Sequence, residues 1–154
     1  SSEYEDDLHY PTPKKKHDFD KIPKDILSKY AVYYSLEQIG CRLLQKSISE
    51  DIEFANEKIF PAIRKHLTLI IKDQYGNYFI QKMIDVISRK NFSCIYRKIM
   101  SNLEEFGINS HGTRVVQKAI ERISTQEEYS LLQYSLTPHI ISFIKDPNAN
   151  HIVT

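Results

Sequence analysis

Along most of the chain, apolar residues return every three or four positions, in runs of roughly ten residues that suit one face of a helix. The runs are Ile26 to Tyr34, Cys41 to Ile48, Phe60 to Ile71, Asn77 to Ile87, Phe92 to Met100, Thr113 to Ile123, Tyr129 to Leu136, and Ile140 onward. None keeps up the strict alternation of a half-buried strand, so the pattern predicts an all-α fold. A chain with only 4 glycines and 6 prolines agrees with that. Up to about Pro23 the pattern lapses: charges are mixed, three prolines occur, and apolar residues have no period. That stretch reads as a tail or an extended cap. The predicted organisation is a tail or cap over residues 1–24 and a helical domain over residues 25–154.

The domain repeats. The strings GCRLLQKSI, GNYFIQKMI and GTRVVQKAI begin at Gly40, Gly76 and Gly112, and both intervals are 36 residues. A partial fourth copy, ANHIVT, starts at Ala149 after an interval of 37. A fixed period of this length is the mark of stacked supersecondary units, so an α-α superhelix is predicted. The repeats span about 25–53, 54–90, 91–126 and, in part, 127–154.

On a helical wheel, Leu43, Leu44, Ser47 and Ile48 share one side, as do Phe79, Ile80, Met83 and Ile84 one repeat later. That side is predicted core. Arg42 and Lys46 lie opposite, with Cys41 and Gln45 one turn apart along the border. Recurrence of this polar stripe is not something core packing requires.

Composition narrows the function classes. With 154 residues and 41% hydrophobic content the chain can bury a core. Its net charge of +1 divides into −3 over residues 1–20 and +4 over the remainder, so the helical part is mildly basic. No stretch has the length of a membrane-spanning apolar segment, and the acidic N-terminus is unlike a secretory signal. A soluble, cytoplasmic protein is expected. Cys41 and Cys94 are too few and too far apart for a zinc site, and no CxxC or HExxH occurs. No metal, no cofactor and no enzymatic activity is expected, since no acid/base or nucleophile constellation can be placed. His66, His111 and His139 fall outside the repeated runs and read as structural or surface residues.

The five-residue runs CRLLQ, NYFIQ, TRVVQ and NHIVT, together with KDQYGNYFIQK and KDPNANHIV, resemble the RNA-reading helices of the Pumilio (PUF) family. The likeness extends from about Ile26 to the last residue. It implies a right-handed solenoid binding single-stranded RNA, one base per repeat. It further implies that base edges are met by Cys41, Gln45, Asn77, Gln81, Thr113, Gln117 and Asn150. Arg42, Tyr78, Arg114 and His151 are the implied stacking residues. Lys46, Lys82 and Lys118 are candidate phosphate contacts, and equally a solvated face.

Physical reasoning supports such roles. Helix layers packed 8 to 10 Å apart hold successive bases too far apart to touch, so planar side chains must fill the gaps. Residues at i and i+4 stand about 6 Å apart along the axis, which suits two contacts to one base edge. The two amides of Asn77 and Gln81 match uracil. Cys41 with Gln45 implies adenine, and so does Thr113 with Gln117, a less usual pair. In the fourth run Asn150 and His151 resemble a uracil reader, but Thr154 replaces Gln and Ala149 replaces Gly, which leaves that base open. Family polarity, with N-terminal repeats on 3′ bases, implies a 3′ end of (U)AUA within a UGUA-type element of an mRNA 3′-UTR. Repression or decay of the message, through deadenylase or repressor proteins, is the implied role. Two alternatives stay open: a PUF-like binder of ribosomal RNA, and an armadillo-like protein-binding scaffold. The last helix stops within its run, so further C-terminal repeats or another chain are expected to cover an apolar end.

Overall fold

The computed structural model describes residues 22–154, so the expected tail or cap lies almost wholly outside the described residues. The described residues form helices and turns with no strand. The first unit contains α1 (Lys24–Lys29), α2 (Ala31–Ser35) and α3 (Gln38–Glu50). The second opens with a long composite helix: α4 (Ile52–Phe54), a π-helical stretch (Ala55–Ile59), α5 (Phe60–Ile63) and a 3-10 turn (Arg64–His66). It continues through α6 (Leu67–Ile71) and α7 (Gly76–Val86). The third holds α8 (Arg89–Ser101), α9 (Leu103–Gly107) and α10 (Gly112–Glu121). The fourth holds α11 (Gln126–Leu136), a 3-10 turn (Thr137–His139), α12 (Ile140–Lys145) and α13 (Asn150–Val153).

The long helices begin at capping residues. Asp51 accepts from the Phe54 N–H, Ser88 from that of Asn91, and Thr125 forms a reciprocal capping box with Glu128. These caps recur at intervals of 37, whereas buried Leu67 and Leu103 are 36 apart. The π-helical stretch accounts for the difference, because a π-turn takes up one extra residue within a helix. Pro61 lies just beyond it; a proline lacks the N–H for an i−4 bond and its ring collides with that carbonyl, so a wider turn on its N-terminal side relieves the conflict.

Helices α3, α7, α10 and α13 pack in that order as one row, each against the short helix that precedes it. The approach is close enough to require glycine. A Cβ on Gly40, Gly76 or Gly112 would lie 2.5 to 2.7 Å from the carbonyl oxygen of Tyr34, Ile70 or Phe106. The long helices form the opposite layer, where α8 meets α11. Between the layers lies a continuous core that includes Leu44, Ile48, Phe79, Ile80, Met83, Ile84, Phe92 and Phe106. The wheel's apolar side is thus buried, with Leu43 and Ser47 only partly so. Polar ties cross the units: Arg122 donates to the carbonyls of Ile84 (2.5 Å) and Ile87 (2.6 Å), and Arg89 pairs with Glu128. At the far end α11 buries no residue, and Tyr134 and Ile141 are 81% and 73% exposed.

Candidate nucleic-acid interface

Helices α7, α10 and α13 are each started by a side chain three residues before the glycine or alanine that opens the repeat, whereas α3 has no such side-chain cap. The Asp73 carboxylate accepts from the N–H groups of Tyr75 and Gly76, Asn109 from His111 and Gly112, and Asp146 from Asn148 and Ala149, all at 2.8 to 3.0 Å. Asp73, Asn109 and Asp146 recur at intervals of 36 and 37 and are helix-start signals in the sequence, outside the repeated strings that begin at the glycine.

One hydrogen bond recurs in the runs of α3, α7 and α10. Gln45 donates from Nε2 to the Cys41 sulfur (3.1 Å), Gln81 to the Asn77 oxygen (3.1 Å), and Gln117 to the Thr113 hydroxyl (3.3 Å). The glutamines are partly exposed. Their partners are not: Cys41, Asn77 and Thr113 are 3%, 0% and 4% exposed. This corrects the expectation that both members of each pair stand on the open border. Asn77 gives both amide hydrogens to carbonyls of its own first turn, Asp73 (2.8 Å) and Gln74 (3.1 Å), and its oxygen receives Gln81. Cys41 and Thr113 instead reach the next unit, donating to the carbonyls of Tyr75 (3.0 Å) and Asn148 (3.1 Å). Burial pushes the Cys41 thiol pKa up, which keeps its proton on sulfur for that bond. The buried member therefore sets the glutamine amide's orientation, and the glutamine presents the free groups.

In the fourth run Asn150 repeats the Asn77 pattern, donating to Asp146 and Pro147 carbonyls. Thr154 donates to the Asn150 backbone rather than to its side chain, so the pairing seen three times stops here.

The planar residues stand out from the row. Arg42, Tyr78, Arg114 and His151 are all exposed. Arg114 and Tyr78, 36 residues apart, already touch: Nη1 donates to the phenol oxygen at 2.9 Å, and the guanidinium carbon lies 5.9 Å from the ring centre. A base inserted between two planes needs about 7 Å, twice a 3.4 Å stacking distance, so entry requires the pair to part by about 1 Å. Of the lysines, Lys46 is exposed and Lys82 partly so, while Lys118 is held by Asp85 (3.0 Å) and Glu121 (3.8 Å). Its charge is already answered by carboxylates.

A cleft of about 620 Å³ opens where Cys41, Arg42, Gln45 and Tyr78 converge, and it is completed by Gln38, Gln74, Tyr75 and His111. The last four were not expected there. Their signal is positional: Gln74, Tyr75 and His111 lie one or two residues before a repeated glycine, and His111 lines this cleft instead of being a purely structural or surface residue. Among the described residues no three His, Cys, Asp or Glu side chains gather to hold a metal, and no helix is long and apolar enough to cross a membrane.

The family model for the Pumilio-family RNA binding repeat matches residues 30–51, 66–100 and 102–133, more than half of the chain. These windows begin near a short helix and cut the same periodic structure at a different point from units begun at a long one. The chain is 35% identical over 141 residues to Pumilio homolog 9 of Arabidopsis thaliana, covering 86% of itself and 25% of that protein. With Pumilio homolog 11 of Arabidopsis thaliana it shares 37% identity over 120 residues, covering 76% of itself and 22% of the relative. The chain thus spans about a quarter of the length of these relatives. Among solved structures, the Puf4 RNA binding domain bound to the HO endonuclease RNA 3′ UTR recognition sequence superposes with a TM-score of 0.74 at 32% identity, covering 78% of this chain and 37% of that one.

Proposed function

Because the chain belongs to the Pumilio family of RNA-binding repeat proteins, we propose that its groove binds single-stranded RNA and selects one base per repeat through Gln45, Gln81 and Gln117. The observation that carries this reading is the threefold recurrence, on neighbouring helices, of a glutamine oriented by a buried side chain one turn earlier. Each such amide keeps an oxygen and one hydrogen without an internal partner. A buried orienting group lowers the freedom lost when a base edge binds, and two groups per edge give selectivity.

The chemistry of the pairs supports adenine at Cys41 with Gln45, uracil at Asn77 with Gln81, and adenine at Thr113 with Gln117. Asn150 and His151 resemble a uracil reader but lack the glutamine, so the fourth base stays in parentheses. The sequence read is 5′-(U)AUA-3′. Arg42, Tyr78, Arg114 and His151 stack on the bases, and Lys46 and Lys82 face the strand's phosphates. An mRNA 3′-UTR is the proposed target, in the cytoplasm, with repression or decay through deadenylase or repressor proteins as the outcome. The 3′ UTR sequence bound by Puf4 supports the choice of target.

The test is a titration of the full chain with single-stranded RNA containing AUA and with a scrambled RNA of the same composition. Each changed base is expected to cost about 1 to 3 kcal/mol, as for a well-placed two-contact pair. Equal affinity for both RNAs would refute the proposal.

A further inference from the structure

Between the 3-10 turn that leads into α6 and helix α8, Arg64, Lys65 and Lys98 line a notch of about 450 Å³ together with Leu67, Thr68 and Cys94. Arg64, Lys65 and Lys98 are exposed, and none forms an ion pair among the described residues; Arg64 rests over the Phe60 ring. Solenoid packing does not demand these charges. Past the π-turn, residues of the second unit correspond to those 36 later, and residues of α8 correspond to those 37 later in α11. One repeat on, the same notch is lined by Met100, Ser101, Leu131 and Ser135. All three cations are gone there, although the cavity persists.

The notch also lies near the groove along the chain. It shares Lys65 and Thr68 with a second cavity of about 570 Å³, whose rim ends at Lys72 and Asp73. The next two residues, Gln74 and Tyr75, line the cleft beside Gln45. A helical rise of 1.5 Å per residue puts Lys65 and Lys72 roughly 10 Å apart, about three nucleotide rises of a stacked strand. Lys72 is already paired with Glu105 (3.1 Å), so Lys65 is the free cation of the two among the described residues. Exposed Leu69 supplies an apolar floor between them.

We propose that the Arg64, Lys65 and Lys98 notch is a second, sequence-independent RNA site that takes the phosphates of nucleotides flanking the read bases as the strand leaves the groove over α6. It rests on the groove reading for the strand's arrival, and its chemistry is separate: charge without base contacts. An acidic protein segment is the rival occupant. Adjacency to the cleft, through Asp73 of the second cavity and Gln74 of the cleft, favours the nucleic acid.

The experiment compares, on the full chain, a core AUA-containing RNA with the same RNA extended at either end by about six uridines, at about 50 and 200 mM salt. Three phosphates neutralised at a slope of about 0.7 each make the extended RNA lose about 20-fold more affinity than the core over that range. The Arg64→Gln, Lys65→Gln, Lys98→Gln variant is expected to bind the core RNA like the parent and to lose the extension's advantage. Should the variant not fold, the salt comparison on the parent chain still decides. An extension that gains nothing, or a gain that the variant keeps, overturns the proposal. So does a polyglutamate peptide that binds at the notch while the extension adds nothing. Failure of the core RNA to bind counts against the groove reading instead. In that event oligouridine alone tests the notch: it binds the parent and not the variant, or the proposal falls.

Discussion

Tyr78 should affect RNA binding in opposite directions depending on how much of it is removed. Its ring is 46% exposed on the groove side, and its hydroxyl accepts a 2.9 Å hydrogen bond from Arg114 that holds the two planes closer than a base requires. Phenylalanine keeps the ring but removes that latch. An exposed hydrogen bond is worth about 0.5 kcal/mol, so Tyr78→Phe should tighten binding about 2-fold. Alanine removes the stacking surface as well, at a cost of about 1 to 3 kcal/mol, or roughly 5- to 150-fold in affinity. The assay is fluorescence anisotropy with labelled AUA-containing RNA at fixed salt, with far-UV circular dichroism as the folding control. The reasoning is refuted if Tyr78→Ala binds like the parent, or if Tyr78→Phe weakens binding, which would make the hydroxyl an RNA contact rather than a latch. Lost helicity in the alanine variant would mean a role in the fold.

Other expectations concern the scaffold. Arg122→Ala removes two charge-assisted bonds to the Ile84 and Ile87 carbonyls and should lower stability by about 2 to 3 kcal/mol in urea unfolding; an unchanged midpoint would show that these ties contribute nothing. Burial raises the Glu128 carboxyl pKa, but hydrogen bonds from the Ser124 and Thr125 N–H groups and the Thr125 hydroxyl, with the Arg89 charge, outweigh it and hold it below the usual carboxylate value. A depressed pKa stabilises the fold above the unfolded value of about 4.3 and loses that effect as pH falls through the folded pKa. The stability gap between parent and Glu128→Gln should therefore be full at pH 7 and close below about pH 4; a gap independent of pH would contradict this.

Much of the architecture was legible because one period governs both packing and register. The runs from Cys41, Asn77 and Thr113 form α3, α7 and α10, since each places its apolar side against a short helix and follows a glycine with no Cβ to obstruct it. Two elements escaped the pattern. Residues 52–59 hide their period behind the extra residue of the π-turn, and α9, with Leu103 and Phe106 split by two glutamates, is too short to show one. The site was half legible. A wheel places Cys41, Asn77 and Thr113 on the border of the core, but it carries no information about the adjacent helix or the preceding turn. Those neighbours bury all three, through Tyr75, Asp73 with Gln74, and Asn148. The contact between Arg114 and Tyr78 was equally out of view, because it joins residues of two repeat units.

Base preference at the second repeat bears most directly on the role of the oriented glutamines. In the full chain, Asn77→Ser with Gln81→Glu replaces an amide by a carboxylate that accepts from the N1 and N2 hydrogens of guanine. Competition between AUA- and AGA-containing RNAs should move from favouring uracil to favouring guanine, with far-UV circular dichroism unchanged despite the lost Asn77 bonds to Asp73 and Gln74. A folded variant that still prefers uracil would contradict base reading by Gln81.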